Sequence, residues 1–147
     1  QTQAPFMRPE CAPSESDPGA ESRCIRTARN AVRDANFAAL QKTGLMFRSM
    51  ARPDLKQHPE AKAVLEKKVE GAFTVRFSVA PDGTVYNVTA FDVTDGVAPL
   101  AKMWAETITQ WTFVRVDRPV TDIEHRRIYL YPRQDDAEAQ KKRQGAM

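Results

Sequence analysis

The stretch that decides the fold runs from Gly71 to Val85 and reads GAFTVRFSVAPDGTV. Its first part alternates polar residues with large apolar ones, which are Phe73, Val75, Phe77 and Val79. Because successive side chains of a strand point to opposite faces of a sheet, this alternation predicts a strand with one buried face and one solvated face.

A β-hairpin is predicted to follow this strand. Residues 81–83 read Pro-Asp-Gly, in which proline presets the first turn position and glycine adopts a left-handed backbone without strain. The return strand is expected over residues 85–93, but its alternation of apolar and polar residues slips. We therefore expect a β-bulge near Tyr86 and Asn87 that restores the phase.

An amphipathic helix is predicted over residues 22–41, with Ser22 as its cap and Gly44 just beyond its end. Its apolar stripe recurs at spacings of three and four residues and consists of Ile25, Ala28, Val32, Ala35 and Ala39. The arginines on the rest of its surface are Arg23, Arg26, Arg29 and Arg33. They indicate either a solvated basic face, which is the commoner case, or a docking helix for an acidic partner.

Two further helices and a last strand complete the predicted fold. A short helix is expected over residues 60–68, and a longer one over residues 99–111, where Pro99 suits the first turn. After a polar loop, residues 123–131 predict the last strand. The expected core consists of Phe73, Val75, Phe77, Val79, Leu100, Trp104, Ile108, Trp111 and Phe113.

These elements predict an α+β fold, with a three-stranded antiparallel sheet, helices packed on one of its faces, and the N-terminal amphipathic helix in addition. The hairpin makes its two strands antiparallel, and the helix of residues 99–111 returns the chain so that the third strand pairs with the first. The expected spatial order is therefore second, first, third. This order leaves residues 123–131 at an edge of the sheet, with one row of unpaired backbone groups.

Composition limits the classes of partner. The chain has 147 residues, enough for one modest core, and a net charge of +3 that is spread along the sequence. Nucleic-acid binding requires a focused basic face, so we expect no nucleic acid as partner. No apolar stretch is long enough to cross a membrane. Residues 1–5 resemble the start of a mature chain after removal of a signal peptide, which indicates a periplasmic or secreted protein.

The chain divides into four predicted segments. They are a Pro/Ser-rich arm over residues 1–21, a helix with a connecting loop over 22–57, an α+β domain over 58–132 and a polar, disordered tail over 133–147. The two cysteines, Cys11 and Cys24, lie in the arm and at the start of the first helix. In an exported chain such a pair is expected to form a disulfide, the alternative being two free thiols.

Three motifs occur here in the order of a known family. Residues 71–85 supply a glycine, an alternating strand and an Asp-Gly turn, and residues 111–113 supply a Trp-x-Phe exit from a helix. Residues 58–61 (His-Pro-Glu-Ala) are similar to a weakened form of a Tyr-Pro-x-x-Ala entry, and His58 stands where the family usually has Tyr. Over residues 58–132 the chain resembles the C-terminal domain of TonB. The resemblance implies a periplasmic domain that binds a segment of an envelope transporter as an added strand.

No catalytic or cofactor motif is recognisable in the sequence. The two histidines, His58 and His125, lie far apart in the sequence, and no group of His and Cys has the spacing of metal ligands. Neither a glycine-rich phosphate loop nor a nucleophile elbow is present. Trp104 and Trp111 could stack on a glycan or nucleotide, but their helical spacing with apolar neighbours favours the core. We therefore expect a binding protein with no metal and no cofactor, and not an enzyme.

The expected function is a periplasmic protein-binding module that captures a partner segment by strand addition at its edge. The candidate binding residues on the predicted edge strand are Arg126, Arg127, Ile128, Tyr129, Leu130 and Tyr131. The partner would be an envelope transporter or a secretion component. Alternatively, the C-terminal tail covers this edge, or a homodimer forms through it. A second hypothesis is a secreted inhibitor or immunity-type protein that blocks an enzyme or toxin.

Overall fold

A computed structural model describes residues 6–133. The predicted signal-peptide junction at residues 1–5 and nearly all of the predicted tail, from residue 134 onward, lie outside the described residues. Within the described range, three α-helices and two antiparallel sheets confirm the α+β class. The elements are α1 (Ala20–Thr43), β1 (Phe47–Ser49), a 3-10 helix (Leu55–Gln57), α2 (Pro59–Glu66), β2 (Gly71–Val79), β3 (Val85–Phe91), α3 (Ala98–Thr109), β4 (Thr112–Phe113) and β5 (Val120–Tyr129).

The larger sheet has three strands in the order β3-β2-β5, so that the first strand of the hairpin is central. Val75 in β2 lies opposite Ala90 in β3 and His125 in β5. The register between β2 and β3 shifts in the middle of the pair, where Asn87 has a φ of 52°. This irregularity confirms the β-bulge expected near Tyr86 and Asn87.

A second, two-stranded sheet corrects the expectation of a single sheet. β1 pairs with β4, with Phe47 opposite Phe113. The turn of the hairpin packs directly on β4, because the Phe113 N–H donates to the Gly83 carbonyl oxygen over 2.8 Å. Gly83 has a φ of +93°, and a Cβ built on it would lie 1.9 Å from the Phe113 oxygen, so only glycine fits. Strands of two or three residues are too short to show periodicity in a sequence.

The main core lies between the larger sheet and the helices α2 and α3. Helix α3 packs against β2 and β3, and α2 packs against α3. Of the nine expected core residues, eight are buried and Trp104 is partly buried. Trp111 follows the end of α3, and its Nε1 donates to the Ala51 carbonyl oxygen over 2.8 Å. Its ring meets those of Phe47 and Phe77 edge-on.

Helix α1 begins and packs differently from the prediction. It starts at Ala20, with Gly19 at the cap position, and therefore earlier than the predicted cap Ser22. It ends where Gly44 adopts a left-handed φ of 76°, as expected. The helix packs against β5, along the edge of the sheet.

The buried stripe of α1 is also shifted. Ala35 and Ala39, which were expected to face the core, are exposed, whereas Asn36 and Leu40 are partly buried. These two residues continue the four-residue spacing from Val32, so all three lie on one helical face. Because Asn36 in the middle of this face is polar, the periodicity of apolar residues does not indicate that the face is buried.

The described part of the N-terminal arm, residues 6–19, packs on α1 and on the end of β5. Cys11, Ile25 and Leu130 form a small second core there. The Sγ atoms of Cys11 and Cys24 lie at bonding distance, with their Cα atoms 5.5 Å apart, which confirms the expected disulfide.

Arg8 joins the arm to three other parts of the chain. Its Nε donates to both carboxylate oxygens of Glu70, over 3.0 and 3.2 Å. Its terminal nitrogens donate to the carbonyl oxygens of Cys11 and Tyr131, over 2.7 and 3.1 Å. One of them also lies 3.6 Å from the carboxylate of Glu21, whose side chain is 2% exposed. The guanidinium is therefore the centre of a partly buried polar network.

Reduction of the Cys11–Cys24 disulfide is expected to lower the free energy of unfolding by about 3 kcal/mol, because the bond closes a loop in the unfolded chain. Urea unfolding followed by circular dichroism, with and without reductant, measures the difference. A Cys11→Ser/Cys24→Ser double variant is the control, since reductant should leave its stability unchanged. Two freely alkylated thiols in protein purified from its native compartment would contradict both the bond and the expected localisation.

Candidate functional site

Helix α1 covers the edge of β5 that was expected to be unpaired. The Asn36 side chain donates to the Arg126 carbonyl oxygen over 2.8 Å and accepts from the Arg126 N–H over 2.9 Å. Because both backbone groups of a strand residue point to the same side, these bonds place α1 on the side of β5 that faces away from β2. The Arg29 guanidinium donates to the carbonyl oxygen of Leu130. The expectation of a free edge is therefore wrong for this part of β5.

The six predicted binding residues of this strand are only in part available to a partner. Arg126 is exposed, and the others are partly or fully buried: Arg127, Ile128, Tyr129, Leu130 and Tyr131. The Tyr129 hydroxyl accepts from Trp104 Nε1 over 2.9 Å. The Arg127 guanidinium lies 4.0 Å from the centre of the Trp104 ring. The side chains of Arg127 and Tyr129 therefore point toward α3, and their contacts with Trp104 stabilise the packing of β5 against that helix.

Strand β3 forms the opposite edge, and among residues 6–133 no strand pairs with its outer side. The register shows which of its backbone groups face outward. The backbone N–H and C=O of Arg126 point away from β2. Thr74 in β2 lies opposite Arg126, so the backbone groups of Thr74 point the other way, toward β3. There Thr74 lies opposite Phe91. Backbone direction alternates along a strand, and Ala90 therefore presents its N–H and C=O to the outside.

A shallow groove of about 500 Å³ runs beside this edge. Its walls come from β3, from α3 and from the start of α2, and consist of Glu60, Val88, Thr89, Ala90, Ala98, Pro99, Lys102, Ala105 and Glu106. A strand added to β3 would place alternate side chains over this groove, beside both acidic and basic residues. The strand itself was predicted from the sequence, but its outer edge was not predicted to be a site.

A larger groove of about 610 Å³ lies between α1 and β5, and we call it the α1–β5 groove. Its apolar lining includes Val32, Phe37, Leu40, Phe47, Met50, Leu65, Trp111 and Ile123. Phe37 and Met50 are 63% and 50% exposed, so the mouth of the groove is apolar as well. This site was not predicted, although a phenylalanine away from the predicted stripe of an amphipathic helix is a signal for a binding site.

The α1–β5 groove is rich in arginine. Arg29, Arg33, Arg126 and Arg127 line it, against a single acid, Glu124. Burial, together with the positive charge of Arg127, lowers the pKa of the lining residue His125 to about 4, so its imidazole is neutral at pH 7. The net charge of the lining is therefore positive because of its arginines alone.

No constellation for catalysis is visible within the described range. No group of three or more His, Cys, Asp or Glu side chains there could hold a metal ion. The Nδ1 atom of His58 lies 3.6 Å from the carboxylate of Glu106. His125 packs instead beside the indole rings of Trp104 and Trp111, and its Nε2 has no hydrogen-bond partner in the described part of the chain. The arrangement can bind a partner through an edge or a groove.

No known family model matches the chain, and no curated protein matches it either. The resemblance of residues 58–132 to the TonB C-terminal domain therefore stays a prediction from sequence motifs. Among residues 6–133, no helix has both the length and the apolar character needed to cross a membrane.

Proposed function

We propose that this chain is a periplasmic protein-binding module of the bacterial envelope that captures an extended partner segment by strand addition at β3. The observation that carries the proposal is the outer side of β3, which pairs with no described strand and presents the backbone N–H and C=O of Ala90. Such groups supply main-chain hydrogen bonds to an added strand.

The proposal moves the binding edge from β5 to β3. At β5, the Asn36 amide already bonds the backbone groups of Arg126 that a new strand would need. A partner would have to break these bonds and displace α1 from the sheet, whereas addition at β3 breaks no described hydrogen bond of the outer edge. Binding at β3 therefore has the lower cost in free energy.

The groove beside β3 supports recognition of an extended peptide. Main-chain hydrogen bonds provide affinity without sequence preference, and contacts with alternate side chains provide the preference. Lys102 and Glu106 on α3 and Glu60 on α2 suit a segment that carries both charges.

Two further observations support an envelope protein. The Cys11–Cys24 disulfide is typical of proteins in an oxidising compartment. The resemblance of residues 58–132 to the TonB C-terminal domain implies a transporter or a secretion component as partner. The chain is expected to bind and not to catalyse.

Proline substitutions on the two edges test the proposal. Ala90→Pro removes an outward N–H of β3 without removing a hydrogen bond from the sheet, and proline is tolerated in such edge positions. Glu124→Pro is the matched control on β5, because Glu124 lies two residues before Arg126 and points its backbone N–H to the same outer side. Partners are pulled from a periplasmic extract with each variant, and the captured protein is then isolated. We expect Ala90→Pro to weaken its binding about tenfold or more and Glu124→Pro to leave it within about twofold.

Hydrogen exchange of the unmutated chain with the isolated partner locates the contact. Amides of residues 85–91 should exchange more slowly in the complex. Unchanged exchange over residues 85–91 with new protection elsewhere would show that strand addition at β3 is wrong. Loss of binding in Glu124→Pro alone would return the site to β5.

A further inference from the structure

We propose that the α1–β5 groove binds a single-chain amphipathic anion of the fatty-acid class, with the alkyl chain inside and the carboxylate at the arginines of the rim. This site is separate from the β3 edge, since none of the residues that line the α1–β5 groove lines the groove beside β3. The inference therefore does not depend on the proposed strand addition.

The interior of the groove suits an alkyl chain. Its volume of about 610 Å³ falls in the range of roughly 300–1,000 Å³ that is typical of small-molecule sites. Val32 and Leu40 on α1 and Ile123 on β5 line it, together with the buried core residue Trp111. The free energy falls when apolar walls of this kind are removed from contact with water, which favours binding of an alkyl chain.

The mouth of the groove is apolar, whereas exposed positions of a protein are usually polar. Phe37 is 63% exposed and Met50 is 50% exposed, and they come from different elements of the fold. An alkyl chain that leaves the groove between them would cover both side chains. Exposed apolar side chains grouped around a cavity are typical of a binding site.

Charge complementarity selects an anionic head group. Arg29 donates to a backbone oxygen of β5, and Arg127 stacks on Trp104, so both have structural contacts. Arg33 and Arg126 are exposed on the two opposite walls. The ion pair of Arg33 with its neighbour Asp34 is highly exposed and therefore weak. A carboxylate between two guanidinium groups can accept paired hydrogen bonds from either one.

The polar groups of the interior argue for an alkyl chain and against a peptide. The Asn36 amide uses its oxygen and its nitrogen on the backbone of Arg126. A buried peptide would need partners for its own N–H and C=O groups, and leaving them without hydrogen bonds is unfavourable. An alkyl chain has no such requirement.

The test titrates the full chain with palmitate below its micellar concentration and follows binding by isothermal calorimetry. We expect one saturable site, with 1-hexadecanol binding at least about tenfold more weakly because it lacks the charge. Val32→Trp, which fills the groove, should abolish binding. Arg33→Gln/Arg126→Gln should weaken it about tenfold or more, and because both side chains are exposed this variant should keep the stability of the parent.

Matched controls lie outside the groove. Arg26→Gln removes a charge from the same helix, and Met46→Ala removes an apolar side chain that is 66% exposed. Both should bind palmitate like the parent. Equal weakening by Arg26→Gln and by the double variant would show a general charge effect and would overturn the proposal.

Three other outcomes would also overturn the proposal. The first is that the parent shows no saturable binding of palmitate. The second is that the chain binds vesicles of phosphatidylglycerol but not monomeric palmitate, which would indicate attraction to an anionic surface. The third is that a captured protein partner protects residues 32–40 from hydrogen exchange while palmitate does not bind, which would make the groove a protein interface.

Discussion

Trp111→Ala is expected to lower the free energy of unfolding by about 3–5 kcal/mol, which is typical of a large aromatic side chain removed from a core. Trp111 is 2% exposed, and its ring contacts those of Phe47, Phe77 and His125 at centroid distances of 5.2, 5.9 and 5.3 Å. The substitution also removes the N–H that bonds the Ala51 carbonyl oxygen. A domain of this size has a total stability of the same order, so the variant should be partly unfolded at 37 °C.

Urea unfolding followed by circular dichroism measures this effect. Val114→Ala, a side chain that is 45% exposed and lies close in the sequence, is the control and should change stability by less than about 0.5 kcal/mol. Equal midpoints for Trp111→Ala and the parent would show that Trp111 is not part of the core. The possibility of a stacking role in ligand binding would then return.

Arg8→Ala is the second large effect, with an expected loss of about 3 kcal/mol, because one partner of a partly buried charge network is removed. The Arg8 side chain is 14% exposed, and its partners Glu21 and Glu70 are 2% and 26% exposed. Without the guanidinium, the two carboxylates lose their ion pairs with Arg8, and the carbonyl oxygens of Cys11 and Tyr131 lose a donor. The disulfide would still hold the arm near α1.

The geometry of the network makes a specific control possible. Arg8→Lys keeps the charge but lacks the planar fork that reaches several acceptors, so we expect it to recover less than half of the loss. Arg26→Ala on the exposed face of α1 should change the midpoint of urea unfolding very little. A variant Arg8→Ala with the parent's midpoint would show that the arm adds nothing to stability.

The hairpin and the core were predictable because their signals are local. The alternation from Phe73 to Val79 and the turn at Gly83 need only neighbouring residues to be recognised. The bulge at Asn87 follows from the slipped alternation in the return strand. The burial of Trp111 likewise follows from its spacing after an apolar helical stripe.

The position of α1 was not predictable from such patterns. It depends on hydrogen bonds between Asn36 and Arg126, which are 90 residues apart in the sequence. Nothing in the local sequence shows that the amide of a helical asparagine bonds the backbone groups that a neighbouring strand would otherwise bond. For the same reason the sequence indicated the wrong edge as free, since topology alone leaves β5 uncovered.

Neither groove was predicted, and the α1–β5 groove was the less accessible to prediction of the two because α1 and β5 lie far apart in the sequence. The α1–β5 groove needs Phe37, Met50 and Ile123 to come together, and no spacing rule joins them. The arginines of α1 are apparent in the sequence, but no local pattern shows that Arg33 and Arg126 line the same groove. Only the fold brings these charges to one apolar opening.

The Asn36 amide also limits how copies of this chain can assemble. A sheet with two open sides can recruit one molecule after another and grow into a fibril. Here α1 closes one side of the larger sheet, and β3 is left to meet a second copy. Two copies joined through β3 would form a pair with two-fold symmetry whose remaining sides are both blocked, so growth stops at the dimer. The cover that α1 provides on β5 would thus prevent open-ended growth through the larger sheet.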